Sequence, residues 1–469
     1  MPQALLVGVD VGTTSCKVTV CTAAGREVAS GKAPLEWQVT GSGVETAPEA
    51  VLRAVGSALA AASAQSPPGS VAAVGVTGMG EAGVLLSDGN QPLTPVIAWH
   101  DDRDRALVDQ LAADLGGEAF TSHTGLPVRP QWSLTKHRWL NEHHPGARRA
   151  VRRLGIPEWV VVALGGEPVS EFSLASRTGW LDLTTADWWP QALDWSGLPP
   201  ALLPPLARAG APLGCVSAAW APGRLAGAVL TVAGHDHLVA AVGAGAAADG
   251  DLLDSCGTAE ALVRTVPGPV PDAAVRRLAA AGVTVGHHVL PGRLALLGDT
   301  RGGLLLQNVQ SLLEFDSSQL ASLDAQAMRH RSGTLKAALN PDGTVVLSGI
   351  GRGGGRAQAW YAALEAGAAL VGRMDADLSA VVGSPDRVVM IGGWAHSAAV
   401  RELRRKLWGN VEVAAAGEAG GRGAALLGGC AAGLMPAPAD LPGWLRAHGG
   451  GWTAAPAAGM HHPADEGSL

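Results

Sequence analysis

A strand, a Gly-Thr turn and a second strand occur twice in this chain, once at its start and once just past its middle. The first copy reads LLVGVDVGTTSCKVTV and the second DLLDSCGTAEALVRTV. In each copy, β-type runs flank the turn as strands flank a hairpin. Gly12-Thr13 and Gly257-Thr258 therefore look like equivalent turns, which predicts two related halves. A turn at Ala24-Gly25 leads to a third strand, so the N-terminus is predicted to be an antiparallel meander.

Length and composition predict a large enzyme in a reducing compartment. The 469 residues are about three times a ~150-residue domain, so at least two cores are expected. An apolar share of 47% excludes a disordered chain, and a net charge of −7 without a basic run argues against nucleic-acid and anionic-membrane partners. The five Cys contain no C-x-x-C motif, which favours neither a disulfide framework nor a zinc finger.

Two further patterns predict a cytoplasmic location. The start of the chain, MPQALLVGVD, has no basic region before its apolar stretch and reaches Asp10 too early for a signal peptide. The longest apolar region, 225–248, is interrupted by His235, Asp236 and His237, which argues against a membrane span.

Hydrophobic periodicity predicts the remaining elements. Strands are expected where AGAVLTVAG and RVVMIGG occur, and a Trp-, Pro- and Gly-rich stretch lies before about residue 223. Residues 436–469 are expected to form a Gly- and Pro-rich tail that wraps the surface or frays. Helical patterns are predicted at about 48–64, 103–115, 132–143, 302–315, 357–373 and 422–433.

The paired Gly-Thr turns can bind phosphate. Glycine lets the main chain approach a ligand closely, and turn N–H groups and hydroxyls can then contact phosphate oxygens. Either turn alone is better explained as an ordinary hairpin. For the pair, a nucleotide clamp is as good an explanation as two ordinary hairpins. Asp10, two residues before Gly12, is an acid at a strand end where a hard cation could be held through water.

An ordered set of motifs resembles the FGGY family of carbohydrate kinases, a branch of the actin, hexokinase and heat-shock chaperone ATPase superfamily. The motifs are GVDVGTTSCK, the W-x-D-x-R of Trp99, Asp101 and Arg103, TGLPVRPQWSLTKHRW, GHDHLVAAVGAGAAADGDLLDSCGTA, and VVMIGGWAHS followed by GEAGGRGAALLGG. The resemblance covers about residues 4–435 and includes xylulose and glycerol kinases.

This resemblance implies an α/β fold of two RNase H-like lobes of the actin-like ATPase type with an interlobe cleft. It implies ATP-dependent phosphorylation of a hydroxyl of a small sugar or polyol, with Mg²⁺ as a second cofactor, and leaves a homodimer open. Residues 1–243 would bind the sugar and part of the phosphate chain, and residues 244–435 would bind the adenosine.

The same resemblance assigns roles to individual residues. Asp236 falls on the family's catalytic base, which takes the proton from the attacking hydroxyl, and Asp10 would orient Mg²⁺ through water. The predicted nucleotide-binding residues are Asp10, Gly12, Thr13, Thr14, Ser15 and Lys17 near the first turn, Gly257 and Thr258 at the second, and Gly303, Gln307, Gly392, Gly393 and Ser397 on the adenosine side. The predicted substrate-binding residues are Gly80, Glu81, Trp99, Asp101, Arg103, Gln131 and His237.

The substrate side departs from the family pattern. The usual G-E-R-x-P stretch is missing, and GIGRGGGRAQAWYAALEAGAAL stands in its place, which leaves the sugar open. A pentulose such as xylulose is the preferred acceptor. Glu81 could accept two hydroxyl hydrogen bonds, or it could pair with Arg103 or another cation and hold its lobe together.

Other features of the sequence fit functions other than a sugar kinase. A catalytically slow protein that binds sugar and nucleotide and regulates a partner would retain the same cleft. His235 and His237 flank an acid, but one H-x-H with one Asp is a weak metal motif. Gly349-x-Gly351-x-x-Gly354 is placed like a dinucleotide fingerprint but lacks an acid at the end of a following strand. No G-x-x-x-x-G-K-[ST] motif is present, which excludes a P-loop kinase.

Overall fold

The computed structural model describes residues 4–218, 220, 224–329, 333–351 and 354–448. Within these ranges the chain forms two mixed sheets, one in each half, with helices packed on both. Part of the tail and two residues of the Gly349–Gly354 loop lie outside the described residues.

The first half begins with the predicted meander and ends with a strand and a helix. Its strands are β1 (Ala4–Val11), β2 (Ser15–Thr22), β3 (Glu27–Pro34), β4 (Gln38–Thr40), β5 (Gly43–Thr46), β6 (Ser70–Gly78), β7 (Gly83–Leu86), β8 (Val96–Ile97), β9 (Arg152–Gly155), β10 (Ser170–Glu171), β11 (Leu181–Asp182), β12 (Asp187–Trp188), β13 (Leu206–Ala207) and β14 (Val229–His235). Its α-helices are α1 (Pro48–Gln65), α2 (Arg105–Leu111), α3 (Gly117–Thr124), α4 (Ser133–His143), α5 (Ile156–Leu164), α6 (Phe172–Ala175), α7 (Pro190–Ser196) and α8 (Asp236–Gly243).

The second half repeats the main strands of the first half and has fewer additional strands between them. Its strands are β15 (Asp251–Ser255), β16 (Glu260–Pro267), β17 (Thr284–His287), β18 (Arg293–Thr300), β19 (Lys336–Leu339), β20 (Val345–Ser348), β21 (Arg387–Ile391) and β22 (Glu412–Val413). Its α-helices are α9 (Asp272–Ala280), α10 (Gly302–Leu312), α11 (Ser317–Arg329), α12 (Arg356–Val382), α13 (Ala398–Trp408), α14 (Ala419–Ala431) and α15 (Leu441–His448).

The two main sheets share one topology. The first has the order β14-β6-β1-β2-β3, in which β1, β2 and β3 are antiparallel neighbours and β6 and β14 run parallel to β1. The second has the order β17-β18-β16-β15-β21-β22, in which β15, β16 and β18 form the meander and β21 and β22 are parallel additions. The prediction of two related halves, each with a turn after its first strand, is confirmed.

Strand β1 is buried on both faces, as its continuous apolar sequence indicates. Val7 and Val9 pack with α1 in one hydrophobic cluster, whereas Leu6 packs with α14 in another. Helix α14 belongs to the second half in sequence but covers the first sheet. A Cβ at Gly8 would lie 1.7 Å from the carbonyl oxygen of Gly421, so backbone meets backbone along this contact.

The Trp-, Pro- and Gly-rich stretch and the residues before it, from Leu111 onwards, share a separate apolar cluster. Its fully buried members include Phe120, Trp132 and Trp180. The helix predicted at 103–115 is α2 followed by a π-helical turn at 112–116. In the expected tail, α15 is packed rather than frayed, because Leu441 and Leu445 are buried. Residues 449–469 lie outside the described residues.

No described helix combines the length and the apolar character that a membrane span requires.

The predicted lobe boundary at residues 243 and 244 falls between α8 and β15, and it stays a prediction.

Candidate functional site

Asp236 is the first residue of α8, immediately after parallel strand β14. Its side chain is half-buried, and its Oδ1 accepts a hydrogen bond of 2.7 Å from the backbone N–H of His237. Ligands bind at the carboxyl ends of parallel strands in open α/β sheets, and an acid there faces the crevice. The strand-to-helix junction therefore presents one carboxylate at the place expected for a reacting group.

Burial and neighbouring negative charges raise the pKa of Asp236 and of Asp10. Burial, and then the negative charge of Glu81, raise the pKa of Asp236 to about 7. Burial, and then the charge of Asp236, likewise raise the pKa of Asp10 to about 7. These carboxyl groups come from three strand ends and disfavour one another's charged forms. A carboxylate with such a pKa is suited to accept a proton at neutral pH.

Asp10, the penultimate residue of β1, has a carboxylate oxygen without a hydrogen-bond donor in the described part of the chain. Its Oδ1 is buried and has no hydrogen-bond partner among the described residues. Beside it, Lys17 Nζ lies 3.1 Å from Glu418 Oε2. A buried, unpartnered carboxylate oxygen is costly unless a ligand satisfies it, and a hard cation or its water fits that chemistry.

The first Gly-Thr turn is braced by two indoles. The N–H of Gly12 bonds the carbonyl oxygen of Ser15 at 3.1 Å and closes the turn. Trp37 Nε1 donates to the carbonyl oxygen of Thr13 at 2.6 Å, and Trp99 Nε1 donates to Thr13 Oγ1 at 2.8 Å. Thr14 is exposed and Ser15 is buried. Trp99 therefore links the turn to the predicted substrate loop.

The second Gly-Thr turn rests on glycine backbone. A Cβ at Gly303 would lie 1.8 Å from the carbonyl oxygen of Gly257, and a Cβ at Gly392 would lie 2.7 Å from that of Cys256. Only glycine therefore lets the start of α10 and the end of β21 lie this close to the turn. Thr258 is exposed at its tip. Gln307 is half-buried one turn into α10, and Gly393 begins a 3₁₀ turn over 393–396.

A buried ion-pair network lies under the second turn, and sequence reasoning missed it. Arg404 Nε bonds Asp254 Oδ2 at 2.9 Å, and its Nη2 bonds Glu260 Oε1. Thr300 Oγ1 donates to Glu260 Oε2 at 2.8 Å, and burial raises the pKa of Glu260 to about 7. Asp254 and Glu260, each three residues from Gly257, are the part of this network that the sequence displays. Their cation, Arg404, comes from α13, far along the chain.

The same acids lie near Cys256 in a group that could hold a metal. Arg404 already occupies the space between the carboxylates, and burial raises the pKa of the Cys256 thiol well above its ordinary value. A neutral thiol and two carboxylates bonded to a guanidinium do not form a metal site.

Glu81 is 5% exposed and is held by donors on a single oxygen. Arg177 Nε and Nη2 bond its Oε1 at 2.9 and 2.5 Å, and Gln131 Nε2 bonds the same atom at 2.9 Å. A Cβ at Gly80 would contact His235 and Arg177, so glycine is needed for this close packing. The structure thus brings together three of the predicted substrate residues, Gly80, Glu81 and Gln131.

Glu81 does pair with a cation, as one of the two sequence-based alternatives has it, but the cation is Arg177 and not Arg103. Arg177 Nη1 also bonds Thr284 Oγ1 at 2.6 Å, which links the substrate side of the first half to β17 of the second. Its sequence context, FSLASRTGW, carries no motif. Only the packing of α6 against β17 reveals its position.

Asp101 and Arg103 form a structural brace, which corrects their assignment to the substrate. Asp101 Oδ1 accepts bonds of 2.9 Å from both the N–H and the Nε of Arg103, and Asp101 Oδ2 accepts from the N–H of Val44. Arg103 Nη1 bonds Glu45 Oε2 at 2.8 Å. Both side chains are almost fully buried, and these bonds occupy the groups that a sugar would contact.

Ser397 is also structural. It is buried at the N-cap of α13, where its Oγ donates to Asp324 Oδ2 at 2.7 Å and accepts from the N–H of Val400 at 3.1 Å. A direct contact with adenosine disagrees with this arrangement.

His235 and His237 have ring centroids 5.8 Å apart, and burial lowers the pKa of both, so the two rings are neutral near Asp236.

Comparison with protein families gives a match over the first half of the chain. Residues 5–243 match the model described as the FGGY family of carbohydrate kinases, N-terminal domain. Similar curated proteins include a xylulose kinase of Streptomyces coelicolor, 34% identical over 51% of this chain and 50% of that protein. A gluconokinase of Bacillus subtilis is 30% identical over 42% and 38%, and a glycerol kinase of Paenarthrobacter aurescens is 32% identical over 42% of each. These matches span about half of the relatives' length or less.

Comparison with solved structures extends over nearly the whole chain. A ligand-bound xylulose kinase from Lactobacillus acidophilus has a TM-score of 0.83 at 19% identity, covering 94% of this chain and 92% of that one. The glycerol kinase of Plasmodium falciparum with ADP also has a TM-score of 0.83, at 18% identity and 95% and 92% coverage. The predicted α/β fold of two actin-like lobes is confirmed by these structures.

Proposed function

The chain belongs to the FGGY family of carbohydrate kinases, and on that premise we propose that it transfers the γ-phosphoryl group of ATP to a hydroxyl of a small sugar or polyol. One observation carries the proposal. Asp236 stands at the end of β14 with a pKa raised to about 7, beside two further strand-end acids, Asp10 and Glu81. Structural acids are rarely grouped this way, because each raises the cost of ionising the others.

In the proposed reaction Asp236 accepts the proton of the attacking hydroxyl. The N–H of His237 bonds Oδ1, which fixes the carboxylate and leaves Oδ2 to face the acceptor. Proton removal increases the charge on the hydroxyl oxygen as it attacks phosphorus, and such base catalysis contributes about 10²- to 10⁴-fold. Neutral His237 adds no positive charge that would hold Asp236 ionised and make it a weaker base.

The donor set at Asp10 fits Mg²⁺, held through water as the sequence predicts. The unpartnered Oδ1 supports this assignment, because it is an oxygen ligand without a competing cation bond. When bound, Mg²⁺ would neutralise charge on the transferring phosphoryl group.

The two Gly-Thr turns are proposed to bind the phosphates of ATP, which the family uses as donor. Exposed Thr14 and Thr258 support this, since each presents a hydroxyl at the tip of its turn. Gly257, Gly303 and Gly392 allow main chain to approach main chain closely and would leave no side chain between the second turn and the nucleotide. Gln307 and Gly393 remain proposed adenosine contacts, and Ser397 does not.

The acceptor is proposed to be a pentulose such as xylulose, bound beside Glu81. The donors from Arg177 and Gln131 all bond Oε1 of Glu81, so its Oε2 can accept a hydroxyl while Arg177 balances the charge. Similarity to a xylulose kinase supports this choice, although gluconate and glycerol kinases are also relatives. The second candidate, a slow sugar- and nucleotide-binding regulatory protein, has no specific observation in its favour.

A coupled assay of ADP release over ketoses, aldoses, aldonates and polyols tests the proposal. We expect release that depends on one acceptor class, with xylulose among the best. Binding of ATP and sugar without sugar-dependent turnover would support the regulatory alternative instead. The Asp236→Asn variant serves as the background control, because it retains the cleft without the proposed base.

A further inference from the structure

The Gly234–His235 peptide group, one residue before Asp236, is bonded by two side chains in addition to its place in the sheet. The pairing of β14 with β6 shifts register between Val232 and Gly234. Gly234 has a φ of +112°, a conformation that favours glycine. The peptide between Gly234 and His235 directly follows this irregularity, where the strand is again paired with Thr77 and Gly78 of β6.

Two buried hydroxyls bond this peptide group from opposite sides. Thr77 Oγ1, on β6, donates to the carbonyl oxygen of Gly234 at 2.6 Å. Ser173 Oγ, on α6, accepts the N–H of His235 at 2.9 Å. Both side chains are at most 1% exposed, so water does not compete for either bond. Both polar atoms of one peptide group are thus satisfied by side chains.

Glu171 determines which way the Ser173 hydroxyl points. Ser173 Oγ donates its single proton to Glu171 Oε2 at 2.5 Å, so a lone pair of the same oxygen faces His235. The N–H of Ser173 bonds the same carboxylate oxygen at 2.8 Å. A Cβ at Gly234 would lie 2.6 Å from Ser173 Oγ, so any other residue there would displace the hydroxyl.

We propose that Thr77 and Ser173 are positioning residues for catalysis: by clamping the Gly234–His235 peptide they set the place of the next residue, Asp236. The inference rests on the proposed function, because it assigns a purpose to the geometry of the base. A general base must lie within hydrogen-bond reach of the proton it removes, and a shift of about 1 Å can cost about 10²-fold in rate. Neither hydroxyl contacts a reacting group in this arrangement.

The test compares Thr77→Val and Ser173→Ala with their conservative variants, Thr77→Ser and Ser173→Thr. We expect each disruptive variant to lower kcat about tenfold or more while KM for ATP and sugar changes less than about twofold. The conservative variants keep a hydroxyl and should recover most of the rate. Thr231→Val is the matched control, because Thr231 is a buried threonine of β14 whose hydroxyl contacts Val232 outside the clamped peptide.

A second readout measures the clamp without using activity. Ser173→Ala should make the backbone amide of His235 exchange its hydrogen faster, whereas Thr231→Val should not. Faster exchange with unchanged kcat would overturn the positioning role and leave the proposed function standing. A rate loss equal to that of Thr231→Val would also overturn it, because general destabilisation would then explain the loss. Wild-type protein without turnover on any acceptor would remove the proposed function and this inference together.

Discussion

The two Gly-Thr turns have similar sequences and different surroundings. Around the first, Asp10 has an oxygen without a partner among the described residues, and burial and then the charge of Asp236 raise its pKa. Around the second, Asp254 and Glu260 are bonded to one guanidinium, that of Arg404. The first turn is braced by indole donors, and the second by glycine contacts with main chain.

The difference shows how a duplicated hairpin can serve two purposes. A buried charge without a partner costs free energy, and a protein retains it where a ligand supplies the missing partner. A buried carboxylate bonded to a guanidinium has its charge compensated, even though Oδ1 of Asp254 lacks a donor among the described residues, and such a pair holds local structure in place. On this reasoning the first turn belongs to the chemistry of the site, whereas the second provides a rigid support for the nucleotide.

The largest expected effect is at the acid that faces the first turn. Asp236→Asn should lower turnover by about two to four orders of magnitude, because the proposed base is lost while its shape is kept. ATP affinity and melting temperature should hardly fall, since a buried repulsive charge is removed from beside Asp10. Steady-state kinetics and thermal unfolding of the purified variant check both parts. Turnover like that of the wild type would exclude Asp236 from the mechanism.

The next effect concerns the support under the second turn. Arg404→Ala leaves Asp254 and Glu260 buried without their cation, so the free energy of unfolding should fall by about 3–5 kcal/mol. Arg405→Ala, on the exposed side of the same helix, should change it by no more than about 0.5 kcal/mol. Denaturant unfolding compares the two variants. Equal stability of both would show that the network does not hold the turn.

A smaller effect on ligand binding distinguishes the two turns, because they are expected to affect ATP and sugar differently. Thr258→Val should weaken ATP binding about tenfold and leave sugar binding unchanged, because a phosphate loses one charge-assisted hydrogen bond. Thr13→Val also strands the indole N–H of Trp99, so it should weaken both ligands. Isothermal titration with ATP and with sugar, each alone, distinguishes these patterns. Unchanged ATP affinity in Thr258→Val would argue against a two-turn clamp.

The smallest expected effect is a shift in the pH dependence of kcat/KM. With a pKa of about 7, Asp236 should be protonated below that pH, so kcat/KM should fall as pH drops through about 7. The charge of Glu81 raises this pKa, so Glu81→Gln should move the midpoint to lower pH. Glu118→Gln, at an exposed position, is the control. A midpoint that stays in place or moves upward would contradict the proposed coupling between Glu81 and Asp236.

Much of this molecule could be predicted from local sequence. The first meander, the strand–turn–strand unit that opens the second half and the helices near residues 48–64 and 132–143 follow from periodicity and turn residues. The junction at Asp236 was found through its motif. These features depend on residues that are neighbours in the chain, and the sequence displays them directly.

The rest depended on partners that are distant in sequence. Arg177 joins Glu81 across 96 residues, and Arg404 joins Asp254 across 150. Asp101 and Arg103 belong to a family motif, but their polar groups bond each other and Glu45 of β5. The motif alone could not show whether such residues brace the fold or contact a ligand. Ser397 likewise matched a pattern that its N-cap role explains.

The glycine contact between α14 and the first sheet has a consequence for the order in which the molecule can form. Gly8 and Gly75 lie against the backbone of Gly421 and Ala424, which are separated from them by about 350–410 positions of the chain. A nascent chain emerges from the ribosome N-terminus first, so this face of β1 and β6 is bare until synthesis reaches α14. The first sheet is therefore made early but covered late, and the cell must keep its exposed apolar face from associating with other chains in the interval.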